Sequence, residues 1–217
     1  MSNKIRLGIL GGGGDSLIGV LHRVAANMFD QYEIVGGVFN PNFDENISFA
    51  KKIGINTSRI YKDFETLIEQ ESKLNSSERM QVVSVLTPNF LHYPMAKKLL
   101  ENNFHVICEK PLTTTYLEAL ELQKIQKEKN TVFAVTHTYT GYPMVRQMTK
   151  MISEGIIGNI QKVDGQYLQG WLNPVIHDKE KRSSTWRLDP KKSGSSCCLG
   201  DIGTHAFNMV ELVTGMK

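Results

Sequence analysis

A chain of 217 residues, 41% hydrophobic and 22% charged, has room for one large domain, or for one domain and part of another. Its formal net charge of +3 is too small, and its lysines too scattered, to mark a nucleic-acid or membrane-surface partner. No apolar run approaches the ~20 residues that cross a bilayer, and "MSNKIRLGIL" breaks into glycines before a signal-peptide core can form, so cytoplasm is the default compartment.

The first 135 residues alternate between short β-branched runs and amphipathic runs. "KIRLGIL" predicts a strand and "IGVLHRVAANMF" a helix; "YEIVGGVF" and "DENISFAKKIG" repeat the pair. A brief "RIY" precedes the helix "FETLIEQES", and the polar "KLNSSER" reads as a loop. Strand "VVSVLT", helix "LHYPMAKKLLENN", strand "FHVICEK", helix "YLEALELQKIQKEK" and strand "TVFAVT" complete the series. Strands apolar on both faces that alternate with helices imply an α/β domain built on a parallel, doubly wound sheet over residues 1–135. Residues 136–217 read differently. A helix over "PMVRQMTKMISEG" leads to the alternating run "IQKVDGQYLQGWL", which predicts a strand with one buried face. A polar loop follows, then a helix carrying Asp201 and His205, whose spacing places them on one helical face.

"GILGGGGDSLIGVLH" follows a strand and opens a helix, the context of a dinucleotide fingerprint. Glycine tightens such a turn and lets the backbone approach a pyrophosphate, whose charge the helix N-terminus meets. With Gly11 and Gly13 as the first two glycines, the third is Gly19, three residues later than the GxGxxG spacing requires. At the end of the second strand, where a carboxylate ordinarily accepts from the adenosine ribose, the chain has Asn40. No arginine follows to clamp a 2′-phosphate, so NAD and NADP both stay open, with a modest preference for NAD expected. "TPNFLH" supplies Thr87, Pro88, Asn89 and His92 at the end of the fourth apolar run, and "CEKPL" supplies Glu109 and Lys110 at the end of the fifth. Taken singly, a TPN tripeptide is an ordinary turn and a Glu-Lys pair an ordinary surface feature. At the carboxyl edge of a parallel sheet, beside a glycine loop, they read as a nicotinamide-side floor. Cys108, Cys197 and Cys198 fit neither a metal spacing nor a disulfide framework, and no metal is expected.

Taken in order, the glycine loop ending "IGVLH", then "TPNFLH", "EKP", "WRLDPKKSG" and "GDIGTH" resemble the Gfo/Idh/MocA oxidoreductase family. The resemblance implies a Rossmann domain followed by an α+β domain with an open, mostly antiparallel sheet, of which this chain holds a part. It implies NAD or NADP as cofactor and hydride exchange with a secondary alcohol of a sugar, inositol or related polyol. It also implies catalytic roles for Lys110, Asp201 and His205, a cis bond before Pro111, and a place near the substrate for Trp186 and Arg187. In that assignment His205, with an ordinary pKa of about 6.5, takes the hydroxyl proton. Asp201 orients its ring, and Lys110 stabilises charge on the substrate oxygen. Homo-oligomer formation through the C-terminal sheet is expected. Because the family's second domain is longer than residues 136–217, we expect the chain to be an incomplete form of low activity. Two other readings share the fold: a redox-neutral lyase or glycosidase that oxidises transiently, and a non-catalytic NAD(P)-binding sensor.

Overall fold

The computed structural model describes residues 4–216. It divides into two compact units, Met1–Val135 and Thr136–Lys217. The first is a five-stranded sheet of β1 (Ile5–Gly11), β2 (Tyr32–Val38), β3 (Val82–Leu86), β4 (His105–Cys108) and β5 (Phe133–Val135). Its spatial order is β2-β1-β3-β4-β5, with every pairing parallel. Helices α1 (Leu17–Met28), α2 (Phe43–Lys52), α3 (Phe64–Glu71), α4 (His92–Glu101) and α5 (Tyr116–Lys129) connect the strands. The period-2 alternation of the strands sorts their side chains into two cores. Leu7, Ile9 and Val82 pack with Ala26, Ala50 and Ile60 on one side. Leu10, Val83, Val85 and Val106 pack with Leu99, Leu100 and Leu122 on the other. The strand "VVSVL" is buried at every residue because both its faces are covered, which is why it shows no alternation.

Helix starts follow local polar chemistry. Ser16, Asn42 and Asp63 each accept a backbone N–H of the helix they precede, and Thr115 with Glu118 forms a reciprocal capping box on α5. Since β1 pairs with β2 on one side and β3 on the other, the chain reverses its direction of winding beside β1. The crevice outside the carboxyl ends of β1 and β3 is therefore the topological switch point.

The second unit contains α6 (Pro143–Ser153), three short turns α7 (Asn173–Ile176), α8 (Lys179–Ser184) and α9 (Pro190–Ser193), and α10 (Thr204–Thr214). The strand expected over "IQKVDGQYLQGWL" does not form: residues 160–170 carry no regular secondary structure and are mostly exposed. Alternating polarity selects the faces of a strand, but a strand also needs a neighbour for its N–H and C=O groups. Among the described residues of this unit no other strand is present, so the C-terminal sheet expected to join copies is not found there.

One buried charge organises the first unit. Glu71, fully buried at the end of α3, accepts from Arg59 at 2.6 Å, from the Tyr61 hydroxyl at 2.5 Å and from the Met80 backbone N–H at 2.8 Å. Burial, together with the adjacent carboxylate, pushes the Tyr61 phenol up to about 12. Glu71→Ala leaves the Arg59 guanidinium, the Tyr61 hydroxyl and the Met80 amide without their acceptor, and we expect a loss of about 3–5 kcal/mol. Urea unfolding of the variant measures this, and a loss under about 1 kcal/mol would show that the cluster does not anchor β3.

Candidate functional site

In the first unit, the predicted residues lie where strands end. β1 runs into the glycine loop, and the loop is held by backbone contacts. Gly13 N–H donates to the Phe39 carbonyl at the end of β2, at 3.1 Å. A Cβ on Gly13 would meet that same oxygen at 2.5 Å, and one on Gly19 would meet the Gly12 carbonyl oxygen at 1.8 Å. Gly19 thus supplies the close helix-to-loop approach of a third fingerprint glycine, from the first turn of α1. The late spacing has a local cause. Ser16 stands as N-cap, its hydroxyl accepting from Gly19 N–H at 3.2 Å, and Gly14 and Asp15 fill the widened turn before it. Gly14 has φ +57° and nothing within 4 Å of its Cβ position, so the widened turn is open at Gly14. An open glycine before a helix N-terminus is a cradle that fits a dinucleotide. Arg23 of α1 braces it, donating to the Gly12 carbonyl at 2.8 Å while stacking over Phe49 at 5.0 Å.

Asn40 lies at the end of β2, with its side chain already hydrogen-bonded to the segment that follows. Its Oδ1 accepts from Asn42 N–H at 2.8 Å, and its Nδ2 donates to Glu45 at 2.7 Å. At the end of β3, Thr87 and Pro88 lead into a short 3-10 turn, Asn89–Leu91, and Asn89 is buried. At the end of β4, Glu109 N–H donates to the Val85 carbonyl at 3.0 Å, and the Lys110–Pro111 peptide is cis, as the resemblance implies. The Glu109 carboxylate lies 2.9 Å from His22 Nε2, a pair only 13% and 14% exposed that ties β4 to α1. His22 was visible in sequence only as the last letter of "IGVLH", with nothing to name its partner.

His92 is 1% exposed, with Nδ1 2.7 Å from the Pro111 carbonyl oxygen and Nε2 2.8 Å from the Thr87 carbonyl oxygen. Its ring therefore joins the TPN and Glu-Lys-Pro loops to each other. Donating to both carbonyls at once requires the imidazolium, but burial is the larger influence and lowers the pKa from its ordinary 6.5. The unfolded chain then takes up a proton before the folded one. Stability is fully present above 6.5 and falls as pH drops from there toward the lowered folded value. Between about pH 7.5 and about pH 5, wild-type protein should lose more stability than His92→Gln. Urea midpoints across that range test this, and parallel curves would contradict it.

In the second unit, Asp201 and His205 are in adjoining but different helical forms. Asp201 is within a π-helical turn, Leu199–Gly203, and His205 is in the first turn of α10. An i,i+4 spacing keeps two residues near one helical face in an α-turn and in a π-turn alike, so the change of helical form is compatible with the shared face expected. Arg187 Nε lies 3.8 Å from Asp201, and its guanidinium covers the Trp186 ring at 4.5 Å and the Trp171 ring at 5.8 Å. Asp201, Arg187 and Trp186 are thereby brought together. Around His205, which is 8% exposed, stand Tyr139 at 4.5 Å between ring centroids, His137 at 6.0 Å and Tyr167 at 6.4 Å. The Tyr139 and Tyr167 hydroxyls are 2.5 Å apart, and that bond, with burial, pushes the Tyr139 phenol up to about 12. Sequence reading missed this ring of aromatics. The signal available was "THTYTGYP", an aromatic and histidine cluster directly after β5.

Comparison with known proteins identifies the family and the fold. Residues 5–137 match the family described as "Oxidoreductase family, NAD-binding Rossmann fold", and residues 145–217 match the "GFO/IDH/MocA C-terminal domain". An uncharacterized oxidoreductase of Bacillus subtilis, YfiI, is 34% identical over 98% of this chain and 54% of its own length. Levoglucosan dehydrogenase of Pseudarthrobacter phenanthrenivorans is 37% identical over 63% of this chain and 33% of its own. Among solved structures, an inositol dehydrogenase homolog of Azotobacter vinelandii complexed with NAD+ superposes with TM-score 0.91 at 36% identity, covering 99% of this chain and 55% of that one. The chain thus spans about half the length of the relatives it matches.

Proposed function

Because the chain belongs to the Gfo/Idh/MocA oxidoreductase family, we propose that it serves NAD(P)-dependent hydride exchange with a secondary alcohol of a sugar, inositol or related polyol. The observation that carries the proposal is the edge of the first unit. The glycine loop, the TPN turn and the Glu-Lys-Pro segment end three neighbouring parallel strands at the switch point. Relatives named for levoglucosan and inositol support a polyhydroxylated ring as the substrate class.

Gly14 and the N-terminus of α1 would hold the pyrophosphate, with the TPN turn on the nicotinamide side. The nicotinamide, when bound, supplies the hydride acceptor. Lys110 is assigned to hydrogen-bond the substrate oxygen, where its charge is most effective as that oxygen becomes negative. His205 is assigned to take the hydroxyl proton, with Asp201 favouring the imidazolium that results. Trp186 and Arg187 are assigned to the substrate pocket, and Tyr139, whose phenol keeps its proton through neutral pH, to hydrogen bonding beside His205. Association of copies through residues 136–217 belongs to the same proposal, and a monomer mass by light scattering at micromolar concentration would remove it.

A panel of inositols, aldoses and anhydrosugars with NAD and NADP, followed by nicotinamide absorbance, tests the activity. Lys110→Ala and His205→Ala should each lower turnover by about a hundredfold or more. Cofactor affinity should hold within about threefold, since both interactions strengthen only as the reaction proceeds. If both variants keep near-normal turnover, the assignment of these residues is wrong.

A further inference from the structure

The ribose position lacks a carboxylate in sequence, because β2 ends in Asn40. In the fold a carboxylate is there, supplied from the next helix. Asn40 Nδ2 donates to Glu45 at 2.7 Å, so Glu45, in the first turn of α2, is held beside the end of β2. Its placement is fixed from below by buried bonds. Asn46, fully buried, accepts the Phe39 N–H at 2.8 Å and donates to the Tyr61 carbonyl at 2.9 Å. The Phe39 carbonyl in turn receives the Gly13 N–H of the glycine loop. Asn42 caps α2, taking the Asp44 and Glu45 backbone N–H groups on its Oδ1. The start of α2 and the glycine loop are thereby pinned to the same residue, Phe39, directly after β2, and Glu45 itself is exposed to solvent.

We propose that Glu45, steadied by Asn40, is the carboxylate that accepts the adenosine ribose hydroxyls in this chain, and that it makes the site selective for NAD over NADP. Two vicinal hydroxyls offer two donors to one carboxylate, whereas a 2′-phosphate brings nearly two negative charges against it. Among the described residues no cationic side chain pairs with Glu45 or Asn40. Residues 39–50 contain no Lys or Arg, and Asp44 adds a second negative charge to the same turn. The arginines of neighbouring elements are otherwise engaged: Arg23 with the Gly12 carbonyl and the Phe49 ring, Arg59 with buried Glu71. Lys51 and Lys52 sit in the opposite, last turn of α2.

The proposal rests on the cofactor reading of the glycine loop, and direct binding separates the two. NADH and NADPH are titrated by fluorescence or calorimetry into wild-type protein, Glu45→Gln and Glu45→Lys, with far-UV circular dichroism confirming that each folds. Wild type should bind NADH more tightly. Glu45→Gln, which keeps a hydrogen-bonding side chain but removes the charge, should narrow the NADH-to-NADPH affinity ratio by about tenfold. Glu45→Lys should reverse the preference. In wild type, added salt should also narrow the ratio, and in Glu45→Gln it should do so less, because only the charged site has a repulsion to screen. A wild-type ratio retained in both variants overturns the role of Glu45 and leaves the cofactor reading standing. Failure of wild-type protein to bind either dinucleotide overturns that reading, and the proposal with it.

Discussion

At the switch point of the sheet the Gly12 carbonyl passes over Gly19 so closely that a Cβ there would lie 1.8 Å from its oxygen, which leaves no room for any other residue. That contact lets the first turn of α1 begin beneath the loop leaving β1, and the other cofactor-edge features of the first unit are arranged around it. The carboxyl end of β2 reaches the loop through Phe39, that of β3 borders it at Leu86, and α1 extends His22 to Glu109 at the end of β4. A parallel sheet brings all its strand ends to one side by construction. Converting that shared edge into a site requires the backbone of the loop to come down onto the helix, and here glycine at two positions permits it.

The parts of this design that were legible in sequence are those that follow from periodicity and backbone chemistry. The strands and helices of the first unit were readable from apolar runs and their periodicity, because those side chains segregate into two cores. The motif residues at the strand ends were readable because the rule that ligands collect there needs only strand direction. What stayed hidden depends on pairing across distance. Nothing in the letters says that His22 meets Glu109 eighty-seven positions away, that Asn40 points its amide at Glu45, or that Glu71 gathers Arg59, Tyr61 and the Met80 amide. The strand expected over residues 160–172 failed for a related reason. Alternation is local, whereas strand formation requires a partner. The π-turn at Leu199–Gly203 is likewise invisible to a spacing rule that assumes a regular helix.

The contacts that hold the loops share a chemical character. His92 faces two carbonyl oxygens, Asn46 bonds the backbone of Phe39 and Tyr61, and Arg23 donates to the carbonyl of Gly12. These polar side chains are spent on main-chain groups of loops that have no sheet or helix ladder of their own. A loop left to itself keeps its backbone groups in water and samples many conformations. Taking those groups onto buried side chains fixes the loop at a cost in desolvation that hydrogen bonding largely offsets. The side chains assigned to face a ligand, such as Lys110 and Glu45, are a different set from those that hold the loops. Changes to the holding set should therefore register first in stability and only through it in binding, while changes to the facing set should register in binding directly. In the first unit the division follows burial for these residues: His92 and Asn46 are buried and bond backbone, whereas Glu45 is exposed, and its carboxylate, which takes the Asn40 amide, is the group proposed to meet a ligand.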